Sequence, residues 1–223
     1  MSPSKKMSKH QIREDKLVTK TFQTTEYIQK NPKPFIIGGI VLAVLFSAVV
    51  ILKYIVDKRK EDASNLYIRA NMSLAMGNLD GALADFNSLV NDYGSSTYAR
   101  SARLMLANKY FGEKDWDRSQ EEFEKLLKNS GNDKMIESIA AAGLASCYEQ
   151  KSDFANAGKY YFRAYEIYEN PIFSPANLIK AGQNYAKAGD KTNASAAFKI
   201  IEEKFNTSSE AAAARRHLAE ISL

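Results

Sequence analysis

Hydrophobic and polar positions follow two different patterns along this chain. From Phe35 to Leu52 the sequence reads FIIGGIVLAVLFSAVVIL without a charge, and beyond Lys53 the residues Tyr54, Ile55 and Val56 extend the apolar run. A bilayer core about 30 Å thick takes about 20 helical residues at about 1.5 Å each, so the run predicts a membrane-spanning helix over 35–56. Lys53 stands near its end, where an aliphatic stem lies in the core and the ammonium reaches the interface. Pro32 and Pro34 punctuate the start, and 57–62, opening with Asp57-Lys58-Arg59-Lys60, reads as a polar linker. A helix buried in a soluble protein normally carries a polar face, and this one has none. A cleaved leader has a shorter apolar stretch followed by small residues; the long lead-in and the bulky residues behind the run fit an uncleaved anchor. Gly39, Ala43 and Ser47 recur every fourth residue, a small-residue stripe along which another membrane helix can pack closely.

From residue 63 onward the pattern becomes periodic. Four blocks repeat a turn, a small residue and an aromatic four positions later: Gly77-Asn78 with Ala82 and Phe86, Lys114-Asp115 with Ser119 and Phe123, Ser152-Asp153 with Ala157 and Tyr161, Gly189-Asp190 with Ala194 and Phe198. The aromatic steps by 37, 38 and 37 residues. Tyr93-Gly94-Ser95-Ser96 returns as Phe205-Asn206-Thr207-Ser208 after 112, the sum of the three steps. Small and large residues four apart share a helix face, so each block predicts a helical hairpin, small where its helices cross and large between hairpins. Tyr110, Tyr148 and Tyr185 mark the first helix of three hairpins, with Ala107, Ala145 and Gly182 at the tight crossing. The pattern resembles tetratricopeptide repeats, whose unit is about 34 residues; the longer spacing here places extra residues in the turns near 129–133 and 170–175. The expected fold is all-α: a basic tail over 1–34, the span, the linker, and a solenoid over 63–223. Its repeats fall near 63–98, 99–136, 137–173 and 174–209, closed by a capping helix over 210–222. The first repeat is irregular, with Arg69 and Ser73 where Leu and Tyr are expected. Ser208 or Ser209 is the expected cap of the last helix, whose Arg215, Arg216 and Glu220 suit a solvent-facing cover.

Charge changes the picture only at the amino end. Residues 1–34 hold eight basic and three acidic side chains, leaving 23 of each in 35–223. A basic balance confined to a tail argues against a nucleic-acid-binding body. Basic residues flank the span almost evenly, but a short basic tail is awkward to translocate, so tail inside and body outside is the favoured orientation. One cysteine, Cys147, and two histidines, His10 and His217, exclude an internal disulfide and leave little for a zinc site. The chain has no Gly-rich phosphate loop, Gly-x-Ser-x-Gly or His-Glu-x-x-His. We therefore expect no enzyme, cofactor, metal or small-molecule substrate. Trp116 occupies the position of Leu79 and Phe154 and reads as packing; Cys147 reads as a small hydrophobe, and His217 as an exposed residue without a catalytic partner.

The concave face of a solenoid is its usual binding surface. Repeat positions pointing inward are Tyr67, Asn71, Leu104, Asn108, Phe111, Ser146, Glu149, Ile179 and Gln183. This mixture suits an apolar peptide segment from a protein partner. A clamp for a C-terminal carboxylate, as found in chaperone-binding tetratricopeptide proteins, requires Lys and Arg at several of these places. Leu104, Gly143 and Ala176 stand there instead, and Asn108 and Lys180 alone fit.

Tail, span and repeat body together resemble the bacterial YfgM-like family, ancillary subunits of the SecYEG translocon. The stretch Arg13-Glu14-Asp15-Lys16-Leu17-Val18, followed by Tyr27-Ile28-Gln29-Lys30-Asn31 and the span, is similar to the anchors of such proteins. Membership implies a single-pass inner-membrane protein with a periplasmic body, contact with the translocon and a periplasmic chaperone, and no enzymatic activity. The serine-bearing turns are also similar to the repeat domain of the Tol-Pal coordinator, which lacks such an anchor. Outer-membrane assembly lipoproteins share the repeats but require a lipid-bearing cysteine missing here.

Overall fold

An apolar stretch without a polar face has no side to bury, and the structure leaves it uncovered. In the computed structural model, which describes residues 25–221, every residue from Pro32 to Glu61 is exposed. They belong to helix α1, Pro32–Ala75, which follows a short helical stretch over 25–30 and a break at Asn31. By length and composition α1 can cross a membrane. The polar stretch 57–62 is helical and part of α1. The chain divides into two compact units, residues 1–58 and 59–223. In the first, Tyr27 meets Phe35 edge-on at 6.1 Å and Lys30 pairs with Glu26 at 2.7 Å.

The second unit is a succession of antiparallel helices, and among the described residues all regular structure is helical. After the last part of α1 come α2 (Leu79–Asp92), α3 (Thr97–Gly112), α4 (Trp116–Lys128), α5 (Lys134–Gln150), α6 (Phe154–Ile167), α7 (Ser174–Lys187), α8 (Lys191–Lys204) and α9 (Ala211–Ile221). One local device makes all four hairpins. Gly77, Lys114, Ser152 and Gly189 take left-handed backbone conformations, with φ of 75°, 61°, 61° and 82°. The next residue, Asn78, Asp115, Asp153 or Asp190, accepts a hydrogen bond through its side chain from the N–H three residues on. Its own N–H donates back to the carbonyl of Ser73, Tyr110, Tyr148 or Tyr185 at 2.9 Å, closing the first helix as the cap opens the second.

Packing follows the periodicity. Ala82, Ser119, Ala157 and Ala194 are fully buried where helices cross, and Phe86, Phe123, Tyr161 and Phe198 fill the spaces between hairpins. Ser119 donates to the carbonyl of Ala107 at 2.9 Å and receives the Cys147 thiol at 3.3 Å, so this buried hydroxyl is satisfied. Burial pushes the Cys147 thiol above its ordinary range, as suits a packing residue. Arg69, in place of the Leu found as Leu106 and Leu144, reaches across its hairpin to Asp85 with Nε–Oδ2 2.8 Å and Nη2–Oδ1 2.6 Å.

Two expectations at the carboxyl end are corrected. Neither Ser208 nor Ser209 caps the last helix. Among the described residues the buried Ser208 hydroxyl has no partner, and Ser209 donates to Glu210 at 2.9 Å. The Ala211 N–H, which a Ser208 hydroxyl cap would serve, donates instead to the Ser208 carbonyl in a backbone turn. His217 is only partly exposed: its ring stacks on Phe198 at 5.1 Å, with Nδ1 3.0 Å from Glu220 and Nε2 3.3 Å from Gln183. Arg215, Arg216 and Glu220 do face solvent.

Candidate functional site

The first helices of three successive hairpins, α3, α5 and α7, line one groove of about 340 Å³. Leu104 and Asn108 come from α3, Gly143 and Ser146 from α5, and Asn177 and Lys180 from α7. Phe123 and Tyr161, each from the second helix of a hairpin, reach the same groove. Gly143 is required there, since a Cβ would lie 2.3 Å from the Phe123 ring. A smaller hollow of about 190 Å³ continues the groove through Ile139, Ala142, Ala176 and Asn177 to Met135, Tyr168 and Phe173.

Tyr161 organises the polar part. Its hydroxyl lies 2.8 Å from Ser146 Oγ, donates to Glu149 Oε2 at 3.0 Å and accepts from Lys180 Nζ at 3.2 Å. Asn184 donates from Nδ2 to Glu149 Oε1 at 3.1 Å, and Lys187 stands 3.8 Å from the same oxygen. Burial pushes the Tyr161 phenol well above its ordinary range, and the Glu149 charge adds to the shift. The hydroxyl therefore remains a proton donor at neutral pH. Such a network can hold polar groups of a ligand but offers no nucleophile paired with a base. Among the described residues no cluster of His, Cys, Asp and Glu could hold a metal ion.

Of the nine inward positions expected from the sequence, the structure brings Leu104, Asn108 and Ser146 together in the groove, with Glu149 joined to them through Tyr161. Tyr67 packs instead beside Phe86 and Tyr98, at centroid distances of 6.3 and 5.6 Å, and Asn71 donates back to its carbonyl. Phe111 meets Trp116 edge-on at 4.8 Å. Ile179 packs against the core shared by the last two hairpins and α9, and Gln183 faces His217. Gly39, Ala43 and Ser47 lie along an exposed part of α1; the Ser47 hydroxyl donates to the Ala43 carbonyl at 2.8 Å, and among the described residues nothing would meet a Cβ at Gly39. Sequence reasoning did not place Tyr161 or the Met135–Phe173 hollow at the site. Tyr161 carried a readable signal, because the equivalent residues Phe86, Phe123 and Phe198 lack its hydroxyl.

A family model described as a tetratricopeptide repeat-like domain matches residues 25–199. The chain belongs to this family. Its fold is shared by the nearly identical tetratricopeptide-like repeats of a Podosopora anserina kinesin light chain, at 13% identity and a TM-score of 0.52, covering 73% of this chain and 85% of that one. BtubC (BKLC) from P. vanneervenii matches at 18% identity and a TM-score of 0.52, over 72% of this chain and 64% of its own. No curated protein sequence matches significantly. Tetratricopeptide repeats typically scaffold protein–protein contacts rather than catalyse reactions, and the open groove on the first helices agrees with that role.

Proposed function

We propose that this tetratricopeptide-like protein is a membrane-anchored interaction scaffold, an accessory factor of a bacterial secretion translocon and its periplasmic chaperones. Residues 35–56 anchor it in the inner membrane, with the tail 1–34 cytoplasmic and the repeats over 63–223 periplasmic. The observation that carries this reading is one chain holding both a wholly exposed apolar helical stretch and, in its repeat unit, an open groove with mixed apolar and polar lining. Tethering confines the repeats to the membrane surface and raises their effective concentration there, so a weak groove suffices to hold a partner. A photo-crosslinker at Asn108 is expected to capture a translocon subunit or a periplasmic chaperone, and Leu104→Glu to abolish capture while helicity persists. Protease treatment of spheroplasts is expected to remove a C-terminal tag that inverted vesicles protect. Protection in spheroplasts with digestion in inverted vesicles overturns the periplasmic assignment.

The stripe Gly39, Ala43 and Ser47 favours a second reading, in which the span docks permanently into a larger membrane complex and the repeats act as spacer. The Ser47 hydroxyl is satisfied within its own helix, so the stripe presents a smooth, small surface. Replacing Gly39 and Ala43 by Leu then releases the protein from its complex, whereas Leu104→Glu does not.

A further inference from the structure

The groove and the adjoining hollow share Ile139, Ala142, Ala176 and Asn177, so they form one trough whose ends differ chemically. Met135 and Phe173 make one end apolar and leave it partly open to water. Toward the other end Lys180 is the single charged side chain among the described residues lining the trough. Its ammonium carries three donors. Among the described residues one of them is used, on the Tyr161 hydroxyl, and Lys180 has no ion pair. The nearby carboxylate of Glu149 is already occupied by Tyr161 and Asn184, with Lys187 beside it. The trough therefore carries an ammonium without a direct ion pair among the described residues, a short way from an uncovered apolar surface. Asn108 and Asn177 add amide groups suited to a passing peptide backbone.

We propose that this trough receives an internal peptide segment bearing one apolar and one acidic side chain. The apolar side chain packs on Phe173 and Met135, and the carboxylate takes the free donors of Lys180. The proposal rests on the scaffold reading above and adds the chemistry of what the groove holds. A side-chain carboxylate in an open trough keeps part of its hydration, so one ammonium suffices for it. Lys180 is the one cation among the described residues lining the trough, which matches a segment presenting a single carboxylate.

The test uses the full chain in lipid nanodiscs and short fluorescent glycine–serine peptides containing one leucine and one glutamate, amidated at the carboxyl end. The glutamate peptide is expected to bind about threefold tighter than its glutamine counterpart, as befits a partly exposed ion pair. Lys180→Met, which keeps the aliphatic stem, removes that difference, and Phe173→Ser weakens both peptides alike. Equal binding of the glutamate and glutamine peptides overturns the proposal, and so does a preference that appears only with a free terminal carboxylate. Crosslinking of a translocon or chaperone subunit from Asn108, with no preference among the peptides, overturns this proposal and leaves the scaffold reading standing. Peptide preference without such crosslinks supports the trough chemistry and removes the translocon assignment instead.

Discussion

At the carboxyl end of the repeats, α9 buries Ala211 and Ala214 against the last hairpin, packs Leu218 and Ile221 on the same core and stacks His217 on Phe198. At the amino end Ile68, Met72, Met76 and Leu79 remain exposed, the least exposed of them at 49%. The outermost aromatics are nevertheless equally buried, Phe86 and Phe198 each at 1%. The contrast separates two requirements of a stacked-hairpin protein. Each hairpin must enclose its own aromatic whatever lies beyond it, while the outer face of a terminal hairpin can be covered by a helix or left to water. The first hairpin has the polar pair Arg69–Asp85 where Leu106 and Leu144 fill the next two.

The aromatics allow the largest disturbance. Phe198→Ala is expected to cost about 3–5 kcal/mol, the usual range for emptying a buried aromatic site, and Phe86→Ala a similar amount. Because repeat stability is nearly a sum of local and nearest-neighbour terms, hydrogen exchange should localise each loss to its own end. A markedly smaller effect for Phe86 would mean that the first hairpin is held by something other than its aromatic. The covers themselves differ next. Ala214→Glu places a charge at a fully buried site and is expected to peel α9 away at a cost of about 2–4 kcal/mol. Met72→Glu, at a site 57% exposed, should remain within about 0.5 kcal/mol of the parent. A large loss from Met72→Glu in membranes but not in detergent would reveal a partner on that face.

The same contrast separates what the sequence displays from what only the folded chain does. The steps of 37, 38 and 37 fixed the hairpins because Phe86, Phe123, Tyr161 and Phe198 answer the same packing problem four times, and repetition is visible in a string of letters. The turns were legible for the same reason: Asn78, Asp115, Asp153 and Asp190 cap alike. The groove was only partly legible, since which first-helix residues reach one opening depends on how hairpins rotate against each other. That rotation sends Leu104 and Asn108 to the groove but turns Ile179 into the core and Phe111 toward Trp116. Features occurring once were hardest. Nothing in Ser208 or His217 announces that backbone turn bonds replace the cap, or that a histidine ring lies flat on Phe198.

A smaller effect tests the shared turn, which belongs to both ends. Ser152 holds φ at 61°, exposed and without a Gly's freedom, where Gly77 and Gly189 serve the first and last hairpins. Ser152→Gly should stabilise the middle of the stack by about 0.5–1 kcal/mol, the left-handed strain removed less the added freedom of the unfolded chain. Ser152→Val should lose at least as much. Thermal unfolding that moves the same way for both would show that this turn does not control the hairpin.

The smallest change expected is at the Arg69–Asp85 pair, and it is best read through pH. The Arg69 hydrogen bonds hold the Asp85 carboxyl below its ordinary range, outweighing the opposing effect of burial. A group with a depressed folded-state pKa binds its proton more readily in the unfolded chain. Its stabilisation is therefore complete above the unfolded value of about 3.9 and fades as pH falls through the folded one. Arg69→Met should make the first hairpin open more readily at neutral pH, with the difference from the parent vanishing in acid. Arg69 is two-thirds exposed, with its side chain at 67%, so added salt should shrink the neutral-pH difference as well. A gap between parent and variant that persists in acid and in high salt would assign the role of Arg69 to the packing of its aliphatic stem rather than to its charge.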